Sequence, residues 1–209
     1  MKLTVLADLV VQEAGQHLMG DTAALGLQLD KFWNLVQVCL GEYSRQIPIV
    51  KRMTLSTNKH TFPVPRPTHI SEVIPTLIPA YGVSLPLDGD PTTVVFEYDS
   101  TTGEFATNSV MGPWSIVAYY DYTYTETFDT NNVLTEVDLP DITFRDLIFI
   151  KFVTAKFMMA IGRSRRAFTM QEMPTISDSN EMLADADKMM DDVNLYFEQM
   201  NDWSSAFTA

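Results

Sequence analysis

The chain is 209 residues long, enough for one domain with a substantial core, and its 46% hydrophobic content argues against wholesale disorder. Its 27 acidic against 14 basic residues give a formal charge of −13. That balance argues against sequence-independent gripping of nucleic acid, whose phosphates are bound mainly by Lys and Arg. A single cysteine, Cys39, rules out an intramolecular disulfide and a thiolate zinc site.

Taken in chain order, Leu3, Leu6, Val10 and Ala14 recur at helical intervals and predict a short N-terminal helix, or an arm that docks on a neighbour. The apolar start is interrupted by Asp8 and Glu13, so no secretory signal is expected. Gly15, Gly20 and Asp21 break the pattern. Leu29, Phe32, Trp33, Val36, Leu40 and Tyr43 then form one apolar stripe of a second helix, stopped by Pro48. Trp33 and Tyr43 are expected in the core, as is Cys39, a small hydrophobe between Val38 and Leu40.

From Ile49 to Val137 the character is β. Ile49–Leu55 reads as a strand with His60–Val64 as its returning partner, and Pro63, Pro65 and Pro67 mean that this partner is an edge or leaves the sheet quickly. Ile70 to Ile78, broken by Pro75 and Pro79, reads as irregular turns against the core. Thr92–Tyr98, a turn at Asp99–Gly103 and a return at Glu104–Ala106 form a hairpin. The most strand-like run, Pro113 to Thr127, puts Tyr120, Tyr122 and Tyr124 on one face, which covers a sheet or offers a sugar- or base-binding row. Asp129–Asn132 is a turn before Val133–Val137.

Leu139-Pro140-Asp141 opens an apolar helix expected to bury Ile142, Leu147, Phe149, Phe152 and Met158 and to end at Gly162 in a left-handed cap. Its most apolar part, Leu147 to Ile161, contains Lys151 and Lys156 and falls short of the roughly 18 uncharged residues of a membrane span. A basic connector, Arg163 to Thr175, leads to Asp178-Ser179-Asn180-Glu181, a capping-box pattern for a last helix over 179–201. Met182, Ala186, Met189, Val193, Phe197 and Met200 form its stripe, and Asp185, Asp187, Asp191, Asp192 and Glu198 its acidic remainder.

The expected fold class is therefore α+β: a helical bundle with a large inserted antiparallel β region. Residues 1–48 supply the arm and first helix, 49–137 the insertion, 138–203 the helical pair that completes the core, and 204–209 a tail.

No catalytic constellation emerges. His17, His60 and His69 have no metal-ligand spacing, and there is no phosphate-binding glycine loop or nucleophile elbow. No enzymatic activity, cofactor or metal is expected. Carboxylate clusters serve divalent-metal phosphoryl chemistry, so the acidic helix leaves a metal-dependent enzyme as a minor alternative. A solvated face is its simpler use. The charge segregation is more informative: Arg145, Lys151, Lys156, Arg163, Arg165 and Arg166 are six of the 14 basic residues. They precede a helix of opposite sign, so the two pair within one subunit or between copies. The second, heterologous arrangement generates a ring if it closes. Arg163, Arg165, Arg166, Asp187, Asp191, Asp192 and Trp203 are accordingly the candidate interface residues.

The order of elements resembles the head–tail adaptor (gatekeeper, or tail tubular A-type) proteins of tailed bacteriophages. The resemblance is carried by Phe32-Trp33 through Glu42-Tyr43-Ser44-Arg45-Gln46-Ile47-Pro48, by Asp138-Leu139-Pro140-Asp141 before Ala155-Lys156-Phe157 and Gly162-Arg163-Ser164-Arg165, and by Trp203-Ser204-Ser205-Ala206-Phe207 after the acidic helix. It is poorest over 49–137. It implies a virion structural protein of the neck, assembled in the host cytoplasm. Such a protein forms a ring, commonly twelvefold, that contacts itself, the portal protein and tail or neck proteins. DNA would pass the lumen without specific binding, and no membrane is involved. A tail-completion or baseplate component, or a ligand-binding module built on Tyr120, Tyr122 and Tyr124, are the alternatives.

Overall fold

A computed structural model describes residues 1–15, 29–75, 96–107, 113–172 and 177–206. The fold is α+β, with helices toward both chain ends and antiparallel sheets between them. The chain divides into two compact units: residues 1–47 with 122–209, and residues 48–121.

The helical unit begins with α1 (Leu3–Glu13) and α2 (Leu29–Gln46). Leu3, Leu6 and Val10 of α1 are fully buried. At three- to four-residue spacing they form one face, each contributing about 1.5–3 kcal/mol of burial free energy. On α2 the same periodicity buries Phe32, Trp33, Val36, Cys39, Leu40 and Tyr43, and Pro48 follows two residues after the helix ends. The chain start is held by the segment before the third helix: the Met1 ammonium donates to the carbonyls of Leu139 and Ile142 at 2.5 and 3.0 Å.

Two strands counted above with the β region belong to this helical unit. They are Thr125–Phe128 and Leu134–Asp138, paired antiparallel as a hairpin. Its turn is fixed by Asp129, whose Oδ1 accepts from the backbone N–H groups of Asn131 and Val133, and by Asn132 at φ 61°. Trp33 Nε1 donates to Glu126 at 2.6 Å, which fastens the hairpin to α2.

Helix α3 spans Leu147–Glu172 and α4 spans Ser177–Ala206. Both boundaries correct the sequence reading. Pro140-Asp141 opens a turn rather than the helix. Asp146 accepts from the backbone N–H and hydroxyl of Thr143 at 2.6 and 2.8 Å, and the helix starts at the next residue. Gly162 does not terminate α3, which continues ten residues through the supposed connector. Its role is close approach: a Cβ there would lie 2.9 Å from Leu183 Cγ and Cδ2 across the interface with α4. No proline interrupts 163–172, so nothing in the backbone stops the helix. Ser179 is buried inside α4, not at its cap. Leu147, expected in the core, is 67% exposed. The core of this unit joins α1, α2, α3, α4 and the hairpin around Phe149, Phe152, Val153 and Phe157. Edge-on ring pairs run through it, Phe32–Phe157 at 5.9 Å and Tyr43–Phe149 at 5.1 Å.

In the second unit, β1 (Ile49–Leu55), β2 (Lys59–Thr61), β3 (His69–Pro75), β4 (Phe96–Asp99), β5 (Glu104–Thr107) and β6 (Trp114–Tyr120) make two three-stranded sheets. One has the order β1-β6-β3 and the other β2-β5-β4. The adjacent-hairpin expectation for β1 and β2 is overturned. β1 pairs with β6 over seven residues, and β2 pairs with β5. β6 explains why. Trp114, Ile116, Ala118 and Tyr120 alternate onto one buried face, so this strand takes the sheet centre with a neighbour on each side. Residues 69–75, read as irregular, form a strand with a bulge between Ser71 and Ile74; Leu77 and Ile78 lie outside the described residues. The β4–β5 hairpin follows expectation, with Gly103 at φ 75° in its turn, although Thr92 to Val95 lie outside the described residues.

Candidate subunit interface

The antiparallel register of α3 against α4 is marked by two contacts. Lys151 Nζ lies 2.5 Å from Asp192 Oδ2, and Gly162 faces Ser179 and Leu183. The helices pack through Ala155 and Met158 on one side and Met182, Ala186 and Val193 on the other, all buried. The faces that the seam, α1, α2 and the hairpin leave uncovered are not uniform.

On one flank, Leu147 stands one turn before Lys151 and Leu195 one turn after Asp192. Helical spacing therefore puts both beside that ion pair. Leu195 is 54% exposed and Phe144, in the capping turn before α3, is 63% exposed. Asp141, Arg145 and Asp146 flank Phe144 in the sequence; Asp141 accepts from the backbone N–H and hydroxyl of Thr123, and Asp146 from those of Thr143. On the other flank the end of α2 meets the same two helices in a groove of about 300 Å³. Phe152 and Phe197, 5.9 Å apart and edge-on, form its floor, with Met190 and Asn194 from α4 along its wall. Its rim is charged. Lys156 Nζ lies 3.0 Å from Glu42 and 5.2 Å from the Phe152 ring centroid, and Arg45 is exposed beside them.

The sequence-derived interface residues divide. Asp192 is engaged within the subunit by Lys151, the intramolecular one of the two pairings open from sequence. Asp187 and Asp191 are exposed, and no ion pair joins either to a described residue. Arg163 is exposed on α3, and Arg165 and Arg166 follow on the same helix instead of in a turn. The side chains of Arg165, Arg166 and Trp203 lie outside the described residues. Arg163 is thus set apart from the exposed carboxylates of Asp187 and Asp191. Arg163 is eleven residues beyond Phe152 on α3, toward the start of α4, whereas Asp187 and Asp191 lie midway along α4.

The tyrosine row does not exist. β6 ends at Tyr120, whose ring carries Lys51 Nζ at 4.7 Å. Tyr122 packs on Tyr43 at 5.3 Å in the helical unit, and Tyr124 sits edge-on to Trp33 at 4.9 Å. Burial pushes the Tyr120 and Tyr122 phenols upward. Burial also raises Cys39 to about 12, partly opposed by Lys156, and raises Tyr43 further. Among the described residues no three His, Cys, Asp or Glu side chains converge as metal ligands would, and no helix is long and apolar enough to cross a membrane. His17 lies outside the described residues.

The groove and the Phe144 corner escaped the sequence reading. Their one legible signal was Leu195, which falls off the Met182–Phe197 stripe and so had no core role. The groove draws on three helices whose register only the fold supplies. No family model matches the chain, and no curated protein matches it either.

Proposed function

We propose that this chain is a structural protein of a tailed-phage virion, a head–tail adaptor that forms a ring between portal and tail around the DNA channel. The observation that carries the reading is the interrupted helical unit. Residues 1–47 and 122–209 make one helical body, and residues 48–121 fold as a separate β unit inserted between them. That order is what the resemblance of Phe32–Pro48 and Asp138–Arg165 to head–tail adaptors implies. It suits a protein whose helical body meets copies of itself while an inserted module reaches other components. The exposed carboxylates of Asp187 and Asp191, which form no ion pair with a described residue, and the net charge of −13 support it, since an acidic lumen lets DNA slide without sticking.

Native mass spectrometry and negative-stain electron microscopy of the purified chain test this, with closed rings around a central opening expected. Monomers at every concentration, with no association to a purified portal, would defeat it. The activity is not enzymatic on this reading. Joint Asp187→Asn, Asp191→Asn and Asp192→Asn changes leave the fold intact and alter at most assembly.

A further inference from the structure

We infer that the occupant of the α2–α3–α4 groove is a second copy of this chain, which inserts its Phe144–Leu147 corner there. The contact rests on the ring reading above and specifies where the copies meet. Three observations carry it.

The corner and the groove lie on opposite flanks of the same helical hairpin. Leu147, Lys151, Asp192 and Leu195 occupy one side of the α3–α4 seam, and Phe152, Lys156, Met190 and Asn194 the other. Two unlike, mutually fitting patches on opposite flanks define a heterologous contact. Each copy then uses its corner on one neighbour and its groove on the other, so assembly proceeds head to tail and forms a ring where the rotation closes.

The fit is also chemical. A groove of about 300 Å³ with a phenylalanine floor has room for an aromatic side chain and a leucine. Phe144 at 63% and Leu147 at 67% exposed are large apolar groups that the described residues leave mostly uncovered. Anchors of this kind in a pocket dominate interface energetics.

Charge is complementary at the same place. The groove rim carries two cations, Arg45 and Lys156, against one carboxylate, Glu42. The segment around the corner carries two carboxylates, Asp141 and Asp146, each held by a threonine, against one cation, Arg145. Docking sets the positive rim against the negative corner, which fixes register and disfavours corner-to-corner pairing.

The test uses the full chain. A corner variant, Phe144→Ser with Leu147→Ser, and a groove variant, Asn194→Trp, change exposed positions only, so thermal melting is expected to match wild type. Each is expected to raise the concentration for half-assembly at least about 30-fold in mass photometry. Mixed one to one, they are expected to give dimers of one variant with the other and nothing larger, because one competent corner and one competent groove remain. Rings that persist in either variant, or a mixture that yields no such dimer, overturn this contact while leaving the ring reading intact. A wild-type chain that never assembles overturns the ring reading itself.

Discussion

The indole N–H of Trp33 donates to Glu126 at 2.6 Å, and the Tyr124 ring leans edge-on against the same indole, so one α2 residue holds the β hairpin by two interactions. A charge-assisted hydrogen bond of this kind contributes about 1.5–3 kcal/mol. A double-mutant cycle of Trp33→Phe with Glu126→Gln in urea denaturation is expected to return a coupling of at least about 1 kcal/mol. A coupling near zero would mean that the indole acts through packing alone. Cys39 makes a different prediction. Its thiol has a usual value of 9.0 and is pushed up to about 12, chiefly by burial. The folded state therefore keeps a proton that the unfolded chain releases. The stabilisation is complete below pH 9 and is lost progressively as pH rises toward 12. Tyr43, also raised by burial, adds to the loss at still higher pH. Cys39→Ala should flatten the decline of denaturation midpoint between pH 9 and 11. The wild-type thiol should also resist disulfide reagents at pH 8 until the chain is unfolded.

At the scale of elements, Gly162 shows how a local reading goes astray. Glycine after an apolar helical run is the usual sign of a left-handed cap. Here the same residue lets Leu183 of α4 approach to a distance that a Cβ would violate. Gly162→Ala gains about 1 kcal/mol of helix propensity but displaces Leu183, so the gain should appear in full only in a Leu183→Ala background. If Gly162→Ala gains equally in both backgrounds, the close approach has no energetic weight. What could be read locally was read: the α1 and α2 stripes, the β4–β5 turn and the Asp129–Asn132 turn depend on spacings within a few residues. What failed depends on partners distant in sequence. β1 pairs with a strand some sixty residues away, since β6 presents a buried face of Trp114, Ile116, Ala118 and Tyr120 as long as β1 itself. Tyr120 and Tyr122 separate because the strand ends between them and the chain passes to the other unit. The candidate interface was half legible. Exposed charge on α3 and α4 follows from composition, but the groove needs side chains from residues 42, 152 and 190 brought together by three helices.

The whole molecule carries −13, and on the proposed ring assembly that balance would bear both on what the ring admits and on how it is held. Conduction of DNA without retention predicts no shift of duplex DNA in an electrophoretic assay at physiological salt, because binding there scales with cationic contacts to phosphate. Retention surviving at that salt would remove the acidic-channel argument. Assembly responds to charge in the opposite sense. Arg163 is exposed on α3, with Arg165 and Arg166 following on the same helix, and its guanidinium meets no described carboxylate. Folding has little at stake there, since an exposed charge is typically worth under about 0.5 kcal/mol to stability. A subunit contact has more at stake, because reversing a complementary charge introduces repulsion across every junction of the ring at once. Arg163→Glu, Arg165→Glu and Arg166→Glu together should leave the denaturation midpoint nearly unchanged while shifting mass photometry from rings toward monomers. The shift should be largest at low salt, where screening is weakest. Rings of unchanged abundance across the salt series would take these arginines out of the interface and leave the Phe144 corner and its groove to hold the copies.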